Sequence, residues 1–265
     1  MFGNPIGHSK SPLIHRLFAE QCGEVMQYEA ILAPVDGFAD AWHAFVATGG
    51  CGGNVTVPFK EQAFQLADVL TERASKAGAV NTLSLNAQGQ LCGDNTDGAG
   101  LVADLQRLGA PLAGQHILLL GAGGASRGVI GPILAAGAAR ITVANRTAAK
   151  AQLLSEQFGS KVTGCALTDI PAGVYPLIIN ATSSGLSNDR PVIDPELLAG
   201  CQFAYDMVYG KEPTAFLQWC ASLGVAQQAD GLGMLVGQAA EAFAIWRGRK
   251  PEVEPVIAEL SKVLA

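Results

Sequence analysis

An apolar segment that runs into a glycine-rich turn constrains the fold of this chain more than any other feature. Residues 116–120 read HILLL, a turn begins at Gly121, and a helical segment follows. A second apolar segment begins at Ile141 and ends in the residues NRT at 145–147. A strand, a tight glycine turn, a helix and a second strand in this order are typical of half of a dinucleotide-binding fold.

The glycines of the turn have separable physical roles. Gly121 allows the tight turn, and Gly123 lets the backbone approach a pyrophosphate, which the amides at the start of the next helix then face. The third position of the pattern is Ser126 rather than glycine. The match to the motif is therefore imperfect, and the strand before the turn and the helix after it carry the interpretation.

The end of the second strand indicates which dinucleotide is bound. An NAD site usually has an acid there, about 20 residues after the glycines, to bind the ribose hydroxyls. This chain has Arg146 instead, with Thr147 beside it and Lys150 one turn further on. A guanidinium pairs well with a 2′-phosphate, which an acid would repel. The pattern predicts NADP(H), although it is also compatible with a solvent-exposed surface arginine.

Composition limits the classes of function. The 265 residues are enough for two domains, the hydrophobic fraction is 49%, and the net charge is −6. We expect no nucleic-acid partner and no membrane span, since no apolar run reaches roughly 18 residues. The N-terminus lacks the regions of a signal peptide, and the six cysteines have no metal-ligand spacing. We therefore expect a cytoplasmic protein with reduced thiols and no metal site.

Strand and helix patterns alternate along the chain, which predicts an α/β protein with two lobes. The dinucleotide-binding half lies in the middle of the chain, so the first hundred residues form a separate α/β lobe, and a cleft between the lobes is the expected place for substrate. Within the first lobe the patterns predict helices at 12–22, capped by Ser11, and at 35–47, 58–68 and 97–108. They predict strands at 27–32, 53–57, 80–86 and 90–93.

Polar residues of the first lobe collect where strands meet helices, in segments 7–12, 54–60, 78–81 and 93–98. Such positions commonly face a ligand. Lys60 lies in the first turn after Pro58, where the helix dipole disfavours an ammonium, and Asp97 is a candidate carboxylate partner. Together they form a candidate proton-transfer pair. The same pattern is compatible with a solvated lysine and an ordinary helix cap, and Ser9 and Ser11 could likewise be caps.

The motifs, in their order along the chain, resemble the shikimate dehydrogenase family. The resemblance extends through nearly the whole sequence, and so long an ordered set is very specific. The motifs are NPIGHSKSP at 4–12, NVTVPFK at 54–60, GAVNT at 78–82, GDNTDG at 93–98, GAGGAS at 121–126, NRT at 145–147, NATSSG at 180–185, DMVY at 206–209 and DGLGMLVGQAAEAF at 230–243.

The resemblance implies reversible, NADPH-dependent reduction of 3-dehydroshikimate to shikimate, a step toward chorismate and the aromatic amino acids. It implies a substrate-binding and catalytic domain at 1–96 and 233–265 and a Rossmann-type NADP-binding domain at 97–232. The partner is the small-molecule substrate, and the assembly is a monomer or a homodimer. Relatives usually have several residues before the FGNPIG segment, so we expect either an upstream start or a shortened first strand.

The resemblance also implies roles for individual residues. Lys60 is the general acid or base, and Asp97 orients it and binds a substrate hydroxyl. Ser9 and Ser11 hold the substrate carboxylate, and the other substrate-binding residues are Thr56, Asn81, Tyr209 and Gln238. The pyrophosphate is held by Gly121, Gly123, Gly124, Ala125 and Ser126. The ribose phosphate is held by Asn145, Arg146, Thr147 and Lys150, and the nicotinamide is bordered by Met207 and Gly231.

Three other functions are compatible with parts of the pattern. A broader quinate/shikimate dehydrogenase would use NAD(H) as well, but Arg146 and the Ser9/Ser11 pair argue against it. A non-catalytic NADP(H)-binding regulator would not need Lys60 together with Asp97. A related enzyme that reduces a different cyclic hydroxy-acid ketone is not excluded by these residues.

Overall fold

The computed structural model describes residues 1–182 and 189–264, and the chain divides into two units. The first unit comprises Met1–Gly100 and Val236–Glu259, and the second comprises Leu101–Leu235 and Leu260–Ala265. The three divisions, at 100/101, 235/236 and 259/260, all fall inside helices, so three helices contribute to both units. The domain boundaries drawn from the resemblance, at 96/97 and 232/233, differ from these divisions by a few residues and remain a proposal.

The first unit is built on a mixed sheet. Its strands follow the order β3-β5-β6-β4, in which β4 and β6 are parallel and the other pairs antiparallel, and β1 pairs with β2 in parallel. Up to residue 107 the elements are β1 (Phe2–Gly3), α1 (Ser11–Cys22), β2 (Ile31–Leu32), α2 (Phe38–Ala47), β3 (Gly52–Asn54), α3 (Lys60–Leu66), β4 (Val69–Leu70), α4 (Glu72–Ala77), β5 (Thr82–Leu85), β6 (Leu91–Asp94) and α5 (Asp97–Arg107), most of which belongs to the second unit.

The second unit contains a six-stranded parallel sheet with the order β9-β8-β7-β10-β11-β12. This is the strand order of dinucleotide-binding domains, with the topological switch point between β7 and β10. From residue 116 onward the elements are β7 (His116–Leu120), α6 (Gly124–Ala135), β8 (Arg140–Asn145), α7 (Ala148–Phe158), β9 (Val162–Ala166), β10 (Leu177–Asn180), a 3-10 helix (Pro195–Leu198), β11 (Phe203–Asp206), α8 (Ala215–Ser222), β12 (Gln227–Ala229), α9 (Leu232–Arg247) and α10 (Glu254–Leu264). Most of α9 and about half of α10 belong to the first unit.

The apolar run at 116–120 is explained by burial on both faces of this sheet. Ile117 and Leu119 pack into one hydrophobic cluster, and Leu118 and Leu120 pack into another. Because helices cover both faces of a parallel sheet, its central strands are apolar at successive positions rather than at alternate ones. The predicted α/β class with a Rossmann-type domain is therefore confirmed.

Several predicted boundaries in the first unit are wrong. Helix α1 begins at Ser11 with Lys10 as its N-cap, so Ser11 is not the cap. Helix α3 begins at Lys60 rather than at Pro58, because a turn closed by the bond from Phe59 N to Thr56 O precedes it. Helix α2 begins at Phe38 rather than at 35 after a similar turn, and the strand predicted at 27–32 has only two residues.

Several elements were not predicted, among them the short elements β4, α4, β9 and β12. Elements of two to six residues are too short to show a hydrophobic period. Within the part of the chain that the structure describes, no helix is both long and apolar enough to cross a membrane.

Candidate active site

Lys60 and Asp97 form an ion pair in the first unit. The Lys60 Nζ atom lies 2.5 Å from Asp97 Oδ2, and the two side chains are 29% and 14% exposed. Lys60 is the first residue of α3, and its carbonyl accepts a bond from Val80 N at 2.9 Å. This bond ties the start of α3 to the segment before β5. The fold thus brings together the two residues that the sequence suggested as a proton-transfer pair.

The side chain of Asn81 connects this ion pair to its surroundings. Asn81 Nδ2 lies 2.7 Å from Asp97 Oδ1, 2.9 Å from Thr96 Oγ1 and 3.4 Å from Gln238 Oε1. Asn81 and Gln238 are almost fully buried. Both carboxylate oxygens of Asp97 therefore accept a hydrogen bond, one from a cation and one from an amide, which holds the carboxylate in one orientation.

The other predicted substrate residues of the first unit lie at the starts of its helices. Ser11 is buried in the first turn of α1, and its backbone N–H donates to Ser9 Oγ at 3.3 Å. Ser9 is partly exposed. Thr56 is also partly exposed and lies in the turn before α3. No contact in the structure tests their binding roles, which remain predictions.

A bidentate ion pair braces the strand that leads to Asp97. Arg73 Nε and Nη2 donate to the two carboxylate oxygens of Asp94, at 2.6 and 2.7 Å, and Thr71 Oγ1 donates at 2.6 Å. Burial alone would raise the pKa of Asp94, but the bonds from Arg73 and Thr71 outweigh it and hold that pKa below its usual value. This brace was not predicted, because Thr71 and Arg73 lie at the start of α4, which left no periodic pattern in the sequence.

The glycine turn of the second unit is open to a ligand. Gly121 has φ +108°, and a Cβ atom there would lie 3.1 Å from the Ala181 carbonyl, so only glycine fits without strain. A Cβ on Gly123 or Gly124 would meet no atom within 4 Å. Space and exposed backbone at the start of α6 fit a pyrophosphate.

Two further residues of the turn differ in their exposure. Ala125 is exposed, whereas Ser126 is fully buried and its hydroxyl has no partner among the described residues. No surface of Ser126 is therefore exposed to a ligand in this structure. Its role at the pyrophosphate remains a prediction.

The end of β8 presents an exposed basic segment. Asn145 Oδ1 accepts a bond from Ala122 N at 3.2 Å and thereby joins this strand end to the glycine turn. Arg146, Thr147 and Lys150 are all exposed. Across residues 1–182 and 189–264, neither Arg146 nor Lys150 forms an ion pair with a carboxylate. The segment is therefore available to an anion such as a 2′-phosphate.

Met207, Tyr209 and Gly231 lie beyond the carboxyl ends of β11 and β12. Gly231 N donates to Val208 O at 3.2 Å, and a Cβ on Gly231 would collide with the Met207 carbonyl. Glycine at 231 therefore permits the close approach of these two chain segments. Burial raises the pKa of Tyr209, so its hydroxyl stays protonated at neutral pH.

A buried carboxylate that the sequence analysis missed supports this region. Asp206 is fully buried and accepts bonds from Thr214 Oγ1 at 2.6 Å, Val208 N at 3.0 Å and Asn180 Nδ2 at 3.1 Å. Burial raises the pKa of Asp206, and these bonds act in the opposite direction. The motifs 180–185 and 206–209 contain three of these residues, and Thr214 lies outside them. Positions 183–185 lie outside the described residues.

Three family models match the chain. They are the shikimate dehydrogenase substrate binding domain over residues 1–83, the shikimate/quinate 5-dehydrogenase over 104–201, and the shikimate 5′-dehydrogenase C-terminal domain over 231–260. Together they cover both the unit with the ion pair and the unit with the glycine turn.

Curated relatives match over the whole chain. A shikimate dehydrogenase (NADP(+)) from Shewanella halifaxensis is 55% identical, covering 100% of this chain and 95% of the relative. Another with the same name, from Chromohalobacter salexigens, is 53% identical, covering 100% of this chain and 97% of the relative.

Solved structures match over nearly the whole chain, and one of them is a shikimate dehydrogenase. An Ael1 enzyme from Pseudomonas putida is 42% identical, with a TM-score of 0.94, covering 98% of this chain and 96% of that one. Shikimate 5-dehydrogenase from Thermus thermophilus, in complex with NADP(H) and shikimate, is 32% identical, with a TM-score of 0.84, covering 100% and 98%. A 5-ketofructose reductase of a Gluconobacter species is 31% identical, with a TM-score of 0.86, covering 100% and 97%.

The second unit is of Rossmann type with an open glycine turn, and the first unit carries a lysine–aspartate pair. Together these features define a dinucleotide-dependent oxidoreductase. On the relatives and family models above, the chain belongs to the shikimate dehydrogenase family. It is accordingly an NADP-dependent oxidoreductase of the shikimate pathway, and the prediction of NADP(H) as the cofactor is confirmed. The role of Arg146 in binding it remains a prediction.

Proposed function

We propose that the chain catalyses the reversible reduction of 3-dehydroshikimate to shikimate with NADPH, a step toward chorismate and the aromatic amino acids. The observation that carries the proposal is the ion pair between Lys60 Nζ and Asp97 Oδ2, together with the bond from Asn81 to the other oxygen of Asp97. The names of the curated relatives support shikimate as the substrate.

Lys60 is the proton donor in this proposal. As an ammonium it donates a proton from Nζ to the ketone oxygen, and in the oxidation direction the neutral amine takes a proton from the hydroxyl. Asp97 holds Nζ in place and accepts a hydrogen bond from a substrate hydroxyl. A cationic donor at the ketone oxygen also stabilises the negative charge that develops there.

NADPH supplies the hydride when it is bound, and the second unit has residues suited to hold it. Gly121, Gly123, Gly124 and Ala125 form the turn that would accept the pyrophosphate, since the space beside Gly123 and Gly124 is open. For the 2′-phosphate the candidates are Asn145, Arg146, Thr147 and Lys150. Met207 and Gly231 remain the proposed border of the nicotinamide.

The substrate residues divide by chemistry. Ser9 and Ser11 would donate hydrogen bonds to the substrate carboxylate without adding a fixed charge. Thr56, Asn81 and Gln238 would bind ring hydroxyls, and Tyr209 would contact the substrate. The Asn81 amide has two hydrogens facing three oxygens, and the contact to Gln238 Oε1 is the longest at 3.4 Å. A substrate hydroxyl would compete for this contact first.

The assay that tests the proposal measures nicotinamide absorbance with the purified protein. Shikimate and quinate are each combined with NADP and NAD. We expect rapid reduction of the nicotinamide only with shikimate and NADP. Strong activity with quinate or NAD would instead indicate a broader quinate/shikimate dehydrogenase. Binding of NADP without turnover of either substrate would contradict the proposal and favour a regulator or a different ketone substrate.

The role of Lys60 is tested by replacing it with alanine. We expect Lys60→Ala to lower kcat by roughly 10²- to 10⁴-fold, as for loss of a general acid. Lys76→Ala is the matched control, because Lys76 forms a solvent-exposed i,i+4 pair with Glu72 in the same unit, and its kcat should match the wild type. A Lys60→Ala variant with an altered KM and an unchanged kcat would show that Lys60 binds the substrate but is not the general acid.

A further inference from the structure

A continuous chain of hydrogen bonds lies behind the Lys60–Asp97 pair. Asn54 Nδ2 donates to Thr82 Oγ1 at 3.1 Å, and Thr82 Oγ1 donates to Asn81 Oδ1 at 2.8 Å. Asn81 Nδ2 then donates to Asp97 Oδ1 at 2.7 Å. Asn54, Thr82 and Asn81 are each at most 2% exposed, so water does not replace any of these partners.

Two backbone groups determine the donor-to-acceptor direction of this series of hydrogen bonds. Asn54 Nδ2 also contacts the carbonyl oxygen of Asn81 at 3.2 Å, and a carbonyl oxygen can only accept. Thr96 N donates to Asn81 Oδ1 at 2.8 Å, and a backbone amide can only donate. Both side-chain amides are therefore oriented unambiguously, and Asn81 presents N–H rather than oxygen to the Asp97 carboxylate.

Two donors, one buried and one partly buried, hold the far end of this chain of hydrogen bonds. Asn54 Oδ1 accepts from Tyr28 Oη at 2.6 Å and from His15 Nε2 at 3.1 Å. His15 is fully buried and stacks on Tyr28 with ring centroids 4.1 Å apart. Burial lowers the pKa of His15 to about 3, so the ring is neutral, with its hydrogen on Nε2. The Nδ1 atom has no partner among the described residues.

The Thr82 hydroxyl has one hydrogen and two possible acceptors, Asn81 Oδ1 at 2.8 Å and Thr96 Oγ1 at 3.3 Å. We propose that Thr82 is a positioning residue of the reaction centre, whose hydroxyl anchors the Asn81 amide against Asp97. Asn54, oriented by His15 and Tyr28, contributes by donating a hydrogen bond to the oxygen of the Thr82 hydroxyl. The inference rests on the proposed roles of Lys60 and Asp97.

Replacement of Thr82 by the isosteric valine tests the proposal. Thr82→Val removes the hydroxyl, leaves an Asn54 N–H without its acceptor and removes one donor from Asn81. We expect kcat for shikimate to fall about 10-fold with a smaller change in KM, less than the ~10²-fold that a 1 Å misplacement can cost. Thr82→Ser keeps the hydroxyl and should retain at least about half of the wild-type kcat.

A second readout needs no substrate. Hydrogen exchange of the Asn81 side-chain amide is followed by ¹⁵N NMR, with the signals assigned by their loss in Asn81→Asp. We expect exchange to accelerate about 10-fold in Thr82→Val and to stay unchanged in Thr82→Ser, because a less anchored amide opens more often. If wild-type protein does not oxidise shikimate, the proposed function fails, and this exchange measurement still decides the inference about Thr82.

Thr142→Val is the matched control, since it removes an equally buried threonine hydroxyl from β8, where the hydroxyl contacts His116. Its kcat should equal that of the wild type. Equal kcat values in Thr82→Val and Thr142→Val, or equal losses in Thr82→Val and Thr82→Ser, would overturn the proposal.

If Thr82→Val does not fold, Tyr28→Phe removes one of the two donors to Asn54 and keeps the ring. We expect its kcat to fall about twofold to fivefold, the equivalent of part of one hydrogen bond, with faster exchange of the Asn81 amide. Wild-type kcat together with wild-type exchange in Tyr28→Phe would then overturn the proposal.

Discussion

At the scale of single residues, Arg146 is the clearest example of a side chain whose chemistry indicates a function. It lies just beyond β8, is exposed, and has no carboxylate partner in the described part of the chain. An arginine at this position accepts the 2′-phosphate that distinguishes NADP from NAD. The residue could be interpreted without a structure because its position depends only on the local order of strand, turn and helix.

Arg146→Gln should weaken the binding of NADP selectively. We expect the KM for NADP to rise roughly 10- to 100-fold, the equivalent of one or two charge-assisted hydrogen bonds, with little change in the KM for NAD. Steady-state kinetics with both cofactors measure this. Arg140→Gln is the control, because Arg140 is an exposed arginine at the opposite end of β8. Equal effects of the two variants on the KM for NADP would contradict the assignment.

At the scale of elements, one buried carboxylate joins α5, β11 and α9 within the second unit. Asp104 is 3% exposed and accepts bonds from Tyr205 Oη and Arg107 Nη2, each at 2.7 Å. A Cβ atom on Gly233 would collide with this carboxylate. The absence of a side chain at 233 is therefore what lets α9 approach α5 so closely.

Gly233→Ala should destabilise the protein, because a carboxylate held by two partners cannot move away. We expect a loss of about 1–3 kcal/mol in the free energy of unfolding, as for overpacking. In the control Gly173→Ala, at an exposed loop position, no atom lies within 4 Å of the new Cβ. That variant should be neutral or up to about 1 kcal/mol more stable. Thermal unfolding followed by circular dichroism compares them, and equal melting temperatures would refute the argument.

At the scale of the whole molecule, the Arg73–Asp94 brace makes stability depend on pH. The pKa of Asp94 is lower in the folded protein than its ordinary value of 3.8. A carboxyl group with a lowered folded pKa contributes stability above its unfolded pKa and loses it as pH falls through the folded pKa. The brace should therefore contribute fully at neutral pH and progressively less below about pH 4.

Arg73→Met should cost about 1–3 kcal/mol of stability at pH 7, less than for a fully buried pair because Arg73 is 31% exposed. The difference from wild type should shrink near pH 3, where Asp94 becomes protonated. Urea unfolding at both pH values measures it. Arg16→Met breaks an exposed i,i+4 pair and should change stability by less than about 0.5 kcal/mol. A difference for Arg73→Met that is independent of pH would contradict the argument.

The parts of this protein that the sequence determined by itself are those set by local order. The run at 116–120, the turn at Gly121 and the basic end at Arg146 lie within about 30 residues of one another, and they predicted the Rossmann-type unit and NADP. A buried parallel strand is apolar throughout, and a tight turn needs glycine, so both leave a signal in consecutive residues. The strands predicted at 80–86 and 90–93 likewise correspond to β5 and β6, which are close together in sequence.

The tertiary structure alone decided which distant residues meet. Lys60 and Asp97 are separated by 37 positions, Asn81 and Gln238 by 157, and Asp104 and Tyr205 by 101. The sequence suggested the first pair as candidates, but only the packing of α3 against the segments around β5 and β6 places them 2.5 Å apart. Hydrogen-bond partners far apart in sequence depend on sheet pairing and helix packing, which leave no periodic pattern in the chain.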